Sequence, residues 1–290
     1  MKILISTDTS CLVRNDALKK YDISVFPLNV IVDGEEFLDG ITINQEKLKD
    51  DMRSGKNIKT STPPLGSVIE YFENIFAKGY DYVIHFTISS KLSSMYQLFH
   101  NVANQEFAGK VTVIDSYALG SVMLAQVFCA YDEVAKGTPI EQIIEKIENI
   151  KKTSSVVFIP ENLTALKNGG RISPAIALIG NTIGIKPVIV LKDGELQKES
   201  MTKRIRGTFV EKIDSFATTC PPTDYDYTLI EFDGKVDVID YLQQYAENHV
   251  GEGNVIKGSL PVNVCAHCGP GTIGIIVSPK INGKSLKEFI

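Results

Sequence analysis

Short runs of branched apolar residues alternate with polar loops and with stretches of helical spacing along the first half of the chain. Residues 3–5, 25–32, 82–86 and 111–114 each read as a buried strand, and Asp33-Gly34 supplies turn chemistry at the end of the second. Between them the apolar period lengthens: Val68, Ile69, Phe72, Ile75 and Phe76 fall on one helical face. Ile140, Ile143, Ile144, Ile147 and Ile150 repeat that pattern, with Pro139 suited to a first turn. Residues 119–134 are apolar on most sides, which predicts a helix buried between layers. Strand, polar loop and helix in that order describe parallel βα units.

Beyond residue 154 the pattern changes. Residues 156–159 read as a strand, followed by a short helix ending at Gly169-Gly170 and a second helical piece to Gly184. A strand at 188–191 turns at Asp193-Gly194 into a return strand. Residues 209–216, 227–232 and 236–245 continue as helix, strand and helix, and the run 261–264 leading to His267, together with 273–277, reads as closing strands. The fold class is therefore α/β, in two domains. Residues 1–154 carry a mostly parallel sheet with flanking helices, and residues 155–290 form a second α/β unit.

Composition narrows the function. A chain of 290 residues that is 43% hydrophobic can bury two sizeable cores. Its net charge of -5, with basic residues scattered, argues against nucleic acid, which requires clustered Lys and Arg. The uncharged stretch 258–279 contains Asn263, His267 and a Gly-Pro-Gly turn, so it is no membrane helix, and any membrane contact is expected to be transient and superficial. The apolar run after Met1 is too short for a signal peptide, and Cys11, Cys129, Cys220, Cys265 and Cys268 form an odd set; both fit a cytoplasmic protein without disulfides. Cys265 and Cys268 make a C-x-x-C, but on a strand the two thiols face opposite ways, and His85, His100 and His249 are widely spaced. No metal site is expected.

Hydroxyls gather at two places. Thr60, Ser61 and Thr62 come just before an amphipathic helix, with Pro63 or Pro64 suited to its first turn. They read either as a helix cap, for which one hydroxyl suffices, or as a site for a carboxylate or phosphate. Ser89-Ser90-Lys91-Leu92-Ser93-Ser94 repeats the arrangement after residues 82–86. In a parallel sheet both loops would lie at the carboxyl ends of strands, where ligands of open α/β sheets bind. Lys167-Asn168-Gly169-Gly170-Arg171 permits a sharp turn that aims a guanidinium, a group suited to carboxylates and phosphates, while His267 stands before the Gly269-Pro270-Gly271 turn. The chain has no G-x-x-x-x-G-K-[ST] phosphate loop and no G-x-S-x-G nucleophile elbow.

Taken in order, several segments resemble the DegV family. They are Ser6-Thr7-Asp8-Thr9-Ser10, Thr60-Ser61-Thr62-Pro63, Ile88-Ser89-Ser90-Lys91-Leu92-Ser93, Val113-Ile114-Asp115-Ser116, Asn168-Gly169-Gly170-Arg171-Ile172-Ser173, Ile185-Lys186-Pro187 and Ala266-His267-Cys268-Gly269-Pro270-Gly271. The likeness spans nearly the whole chain. Thr62 stands where that family often has Gln, Lys91 where it often has Gly, and Cys268 where it often has Thr.

The resemblance implies a bacterial two-domain protein that holds a long-chain fatty acid, such as a C14 to C18 acid, between its domains. By motif it implies that Thr60, Ser93 and His267 bind the carboxylate, with Ser61, Thr62 and Arg171 in supporting, phosphotransfer or partner-contact positions. It also implies a non-enzymatic carrier without a cofactor, which presents its acid to an ATP-dependent fatty acid kinase for acyl phosphate formation. The competing reading is a serine esterase or thioesterase with Ser93 as nucleophile, His267 as base and Asp8 or Asp115 orienting the imidazole.

Overall fold

The computed structural model describes residues 1–11, 18–173 and 184–290. The expected helical piece running to Gly184 lies almost wholly outside them. Up to residue 153 the elements are β1 (Ile3–Asp8), β2 (Ser24–Phe26), β3 (Asn29–Val32), β4 (Glu35–Leu38), α1 (Gln45–Arg53), β5 (Ile58–Ser61), α2 (Leu65–Phe76), β6 (Tyr82–Thr87), α3 (Met95–Glu106), β7 (Val111–Asp115), α4 (Gly120–Ala135) and α5 (Ile140–Thr153). After it come β8 (Ser155–Ile159), α6 (Thr164–Asn168), β9 (Lys186–Lys192), β10 (Glu195–Thr202), α7 (Ile205–Thr219), β11 (Tyr225–Phe232), α8 (Val236–Val250), β12 (Val255–Ser259), α9 (Val262–Cys268) and β13 (Thr272–Pro279).

The expected parallel sheet is present, in the order β2-β1-β6-β7. Its inner strands are almost wholly buried, as apolar runs without alternation require. Residues 25–32, expected as one strand, are two. Pro27 has no N–H to donate, the backbone N–H of Leu28 goes to Thr9 Oγ1, and the chain leaves the parallel sheet to start a second one. That second sheet, β4-β3-β5, is antiparallel. The β3–β4 hairpin turns on Asp33 and Gly34, both at positive φ (49° and 90°), the geometry that matches strand twist.

The remaining strands form a six-stranded mixed sheet, β10-β9-β8-β13-β11-β12. The hairpin at Asp193-Gly194 is as expected, again with positive φ at both residues. Helix α4, apolar on most sides, packs against β1, α5 and β13, so it is the layer between the two large sheets. One buried apolar cluster accordingly runs from Leu4 through Phe128 to Ile276, and a smaller one lies under α7 and α8.

One expectation fails at a functional place: the run before His267 is helical, not extended. Val262 to Cys268 form α9, which buries Val262, Cys265 and Ala266 at helical spacing. Pro261 starts it, and Gly269 at φ 78° ends it. The decisive contribution comes from Asp39, which accepts from the N–H groups of Val262 and Asn263 at 3.1 Å each. Tertiary capping overrides the β preference of Val262 and Val264. Helical geometry also puts Cys265 and Cys268 on one face rather than two, and the Cys268 thiol donates to the Cys265 carbonyl at 3.8 Å.

Candidate functional site

Thr60 and Ser61 end strand β5, and α2 begins after Pro64 without a side-chain cap. The hydroxyls at 60–62 are therefore free for other work, which removes the capping reading. They are not at the carboxyl end of the parallel sheet either; β5 belongs to the small antiparallel sheet. Residues 89–94 do follow a parallel strand, β6, and lead into α3. The two groups meet where Thr62 Oγ1 lies 2.8 Å from Ser94 Oγ. Ser61 turns toward Glu36, 3.5 Å away, and Lys91 is exposed.

The sequence-predicted residues Thr60, Ser61, Thr62, Ser93, Arg171 and His267 line one cavity. The space between these residues is about 980 Å³ when its open mouth is included. Leu28, Ile88, Leu92, Met95 and Leu119 wall one side, and Val156, Phe158, Leu196 and Ile230 from the six-stranded sheet wall the other. Ser89 Oγ, bonded to the Gly194 carbonyl at 2.6 Å, ties the β9–β10 hairpin to the serine loop and fixes how these walls meet. A second, polar basin lined by Lys59, Asn162, Thr164 and Asn168 shares Thr60, Arg171, His267 and Cys268 with the apolar cavity. These four residues are thus the partition between a greasy interior and a wet surface.

His267 occupies the last turn of α9, with Nε2 2.9 Å from Thr60 Oγ1. Its Nδ1 is buried without a partner among the described residues and faces Gly169, where a Cβ would stand only 2.2 Å away. The two glycines before Arg171 therefore differ in purpose. Gly169 has helical φ (-74°) and provides space, whereas Gly170, at φ 69°, provides the turn. That turn brings Arg171 back over the serine loop, where Nε donates to the Leu92 carbonyl at 3.1 Å and Nη1 to the Gly169 carbonyl. Sequence reasoning expected a carboxylate site of hydroxyls and imidazole alone; the guanidinium in the wall adds a fixed positive charge.

Burial, and secondarily the Arg171 charge, lowers the His267 pKa to about 4, so the imidazole is neutral near pH 7. Replacing Arg171 by Gln is expected to raise that pKa, because a neutral neighbour no longer opposes protonation. An NMR titration of the His267 ring in both proteins measures it, and an unchanged or lower midpoint in Arg171→Gln contradicts the assignment.

The contacts do not assemble an acyl-transfer triad. His267 is bonded to Thr60, and Ser93 Oγ accepts from the Met95 N–H at 3.4 Å. Asp8 accepts from the N–H groups of Ser10 and Ile88, and Asp115 from those of Ser90 and Tyr117. Ser6 and His85 do form a serine–histidine pair at 2.7 Å, but both are fully buried, with the imidazole stacked on Phe99. Among the described residues no group of three or more His, Cys, Asp or Glu is placed to hold a metal ion, and no helix is long and apolar enough to cross a membrane.

Hydroxyls, an imidazole and a guanidinium thus share one cavity with an apolar lining drawn from both large sheets and their loops. Residues 2–280 match the family model described as "Uncharacterised protein, DegV family", and the chain belongs to that family. DegV domain-containing proteins of Clostridium acetobutylicum and Staphylococcus aureus are each 27% identical, covering 96% of this chain and 99% of their own. Among solved structures, a fatty-acid-binding DegV family protein from Thermus thermophilus superposes with TM-score 0.87 at 25% identity, covering 96% of this chain and all of its own. A stearic-acid-binding protein from Eubacterium ventriosum shares the fold, with TM-score 0.82 at 21% identity, over 96% and 98% of the two chains.

Proposed function

We propose that this protein binds a long-chain fatty acid, tail in the apolar cavity and carboxylate at Thr60, Ser93 and His267, with Arg171 supplying countercharge. The observation that carries this reading is the Thr60–His267 pair set at the boundary between the apolar cavity and the polar basin. A tail gains about 0.8 kcal/mol per buried CH₂, so about fifteen methylenes give on the order of 12 kcal/mol before ordering costs. The headgroup adds direction, since a carboxylate leaving water must keep its hydrogen bonds.

The same geometry favours a carrier over an enzyme: the tail is enclosed while the acid end abuts a basin open to a partner. We place that partner as an ATP-dependent fatty acid kinase, the domain division at 154/155 with the ligand between the halves, and the protein in the cytoplasm, where five buried free thiols are at home. Mass spectrometry of protein purified from a bacterial host should show a C14 to C18 acid. Thr60→Val and His267→Leu should each weaken retention about tenfold without abolishing it. Lipid-free protein with no affinity for such acids refutes the proposal.

A further inference from the structure

Asn263 and His267 line the cavity, and among the described residues two of their buried polar atoms have no partner: His267 Nδ1 and Asn263 Oδ1. The first faces Gly169. The second belongs to a residue only 5% exposed, four positions before His267 on α9 and therefore on the same helix face, about one 5.4 Å turn deeper. The orientation of the Asn263 amide is fixed by its other end. Nδ2 donates to Ser10 Oγ at 2.9 Å. With Nδ2 donating there, Oδ1 is left as an unused acceptor among the described residues. A second amide, Asn29, 8% exposed, lines the same cavity next to Ser61 across the β3–β5 ladder.

An unused acceptor in a wall that otherwise holds hydrocarbon is costly unless the ligand supplies a donor. Resting on the fatty-acid reading above, we infer that the acyl chain this cavity selects carries a hydroxyl within the first few carbons of its carboxylate. A hydroxyl donates to Asn263 Oδ1 and accepts from an amide N–H such as that of Asn29. An oxo group offers no donor, and a plain methylene offers neither.

Affinities of delipidated protein for palmitic acid and for its alpha-, beta-, gamma-, delta- and omega-hydroxy derivatives test this. One hydroxyl near the carboxylate should bind roughly fivefold to tenfold tighter than palmitic acid, and the omega derivative weaker. The ratio should fall to one or below in Asn263→Val. Asn29→Val, which leaves the Ser10 bond intact, should reduce it, and the wild-type series needs no variant. Palmitic acid binding as tightly as every hydroxy acid, with only an ordered water on Oδ1, overturns the inference and leaves the fatty-acid reading standing. A preference that survives both variants also overturns it. Failure of all six acids to bind removes both.

Discussion

Gly169→Ala is expected to weaken fatty-acid binding by about tenfold or more while leaving the fold intact. The backbone at 169 is helical (φ -74°, ψ -14°), so alanine brings no strain and gains up to about 1 kcal/mol in propensity. The new methyl would stand 2.2 Å from His267 Nδ1 and 2.9 Å from Cε1. The imidazole is the group that must move, because the Ala165 carbonyl at 3.2 Å closes another side of the same space. Its swing breaks the Thr60 bond and opens the partition between cavity and basin. Gly170→Ala is the matched control. No described residue lies within 4 Å of its Cβ, but φ is 69°, so it should lose roughly 1 kcal/mol of stability and leave His267 in place. Calorimetric titration with palmitic acid and thermal melting separate the two. Unchanged affinity in Gly169→Ala would mean that the His267–Thr60 contact does not organise the headgroup site.

The contrast between these glycines shows where sequence reading ends. Elements whose cause is local were legible. Asp33-Gly34 and Asp193-Gly194 announce hairpins by the backbone they permit, and the runs in β1, β6 and β7 announce a doubly covered sheet. Helix α9 was hidden because its cap comes from Asp39, more than two hundred residues earlier, and Val262-Asn263-Val264 read locally as a strand. Its faint signal was Pro261 followed by Val262, Cys265 and Ala266 at helical spacing. Motif order, matched to a family, brought Thr60, Ser93 and His267 together on paper, and the cavity brings them together in space. The Arg171 guanidinium in the cavity wall, the space at Gly169 and the unpartnered Asn263 Oδ1 depend on distances that no motif records.

Asp39 links fold and site, and its removal should be the most damaging single change to stability. Its carboxylate, 3% exposed, accepts from the Val262 and Asn263 N–H groups and, at 3.1 Å, from Thr9 Oγ1. Asp39→Ala leaves three buried donors unpaired, at roughly 3–5 kcal/mol in total, and frees the start of the helix that carries His267. The deficit should depend on pH. Burial raises the Asp39 pKa from 3.8 to about 6, with the nearby Asp8 charge adding to the shift. Between those values the native state keeps a proton that the unfolded chain has released, so this proton-linked contribution to folding is full below pH 3.8, declines from there to about pH 6, and is lost above it. The difference in stability between wild type and variant should therefore shrink by about 2–3 kcal/mol from pH 4 to pH 7. The buried neutral imidazoles of His85 and His267, lowered to about 3 and about 4, act with the opposite slope. His85 lies outside the affected helix and cancels in the difference, and any loosening around His267 in the variant only reduces its opposing slope there. Urea unfolding across this range measures it; a deficit that is constant or grows toward neutrality would show that the native state does not hold the Asp39 carboxyl above its ordinary pKa.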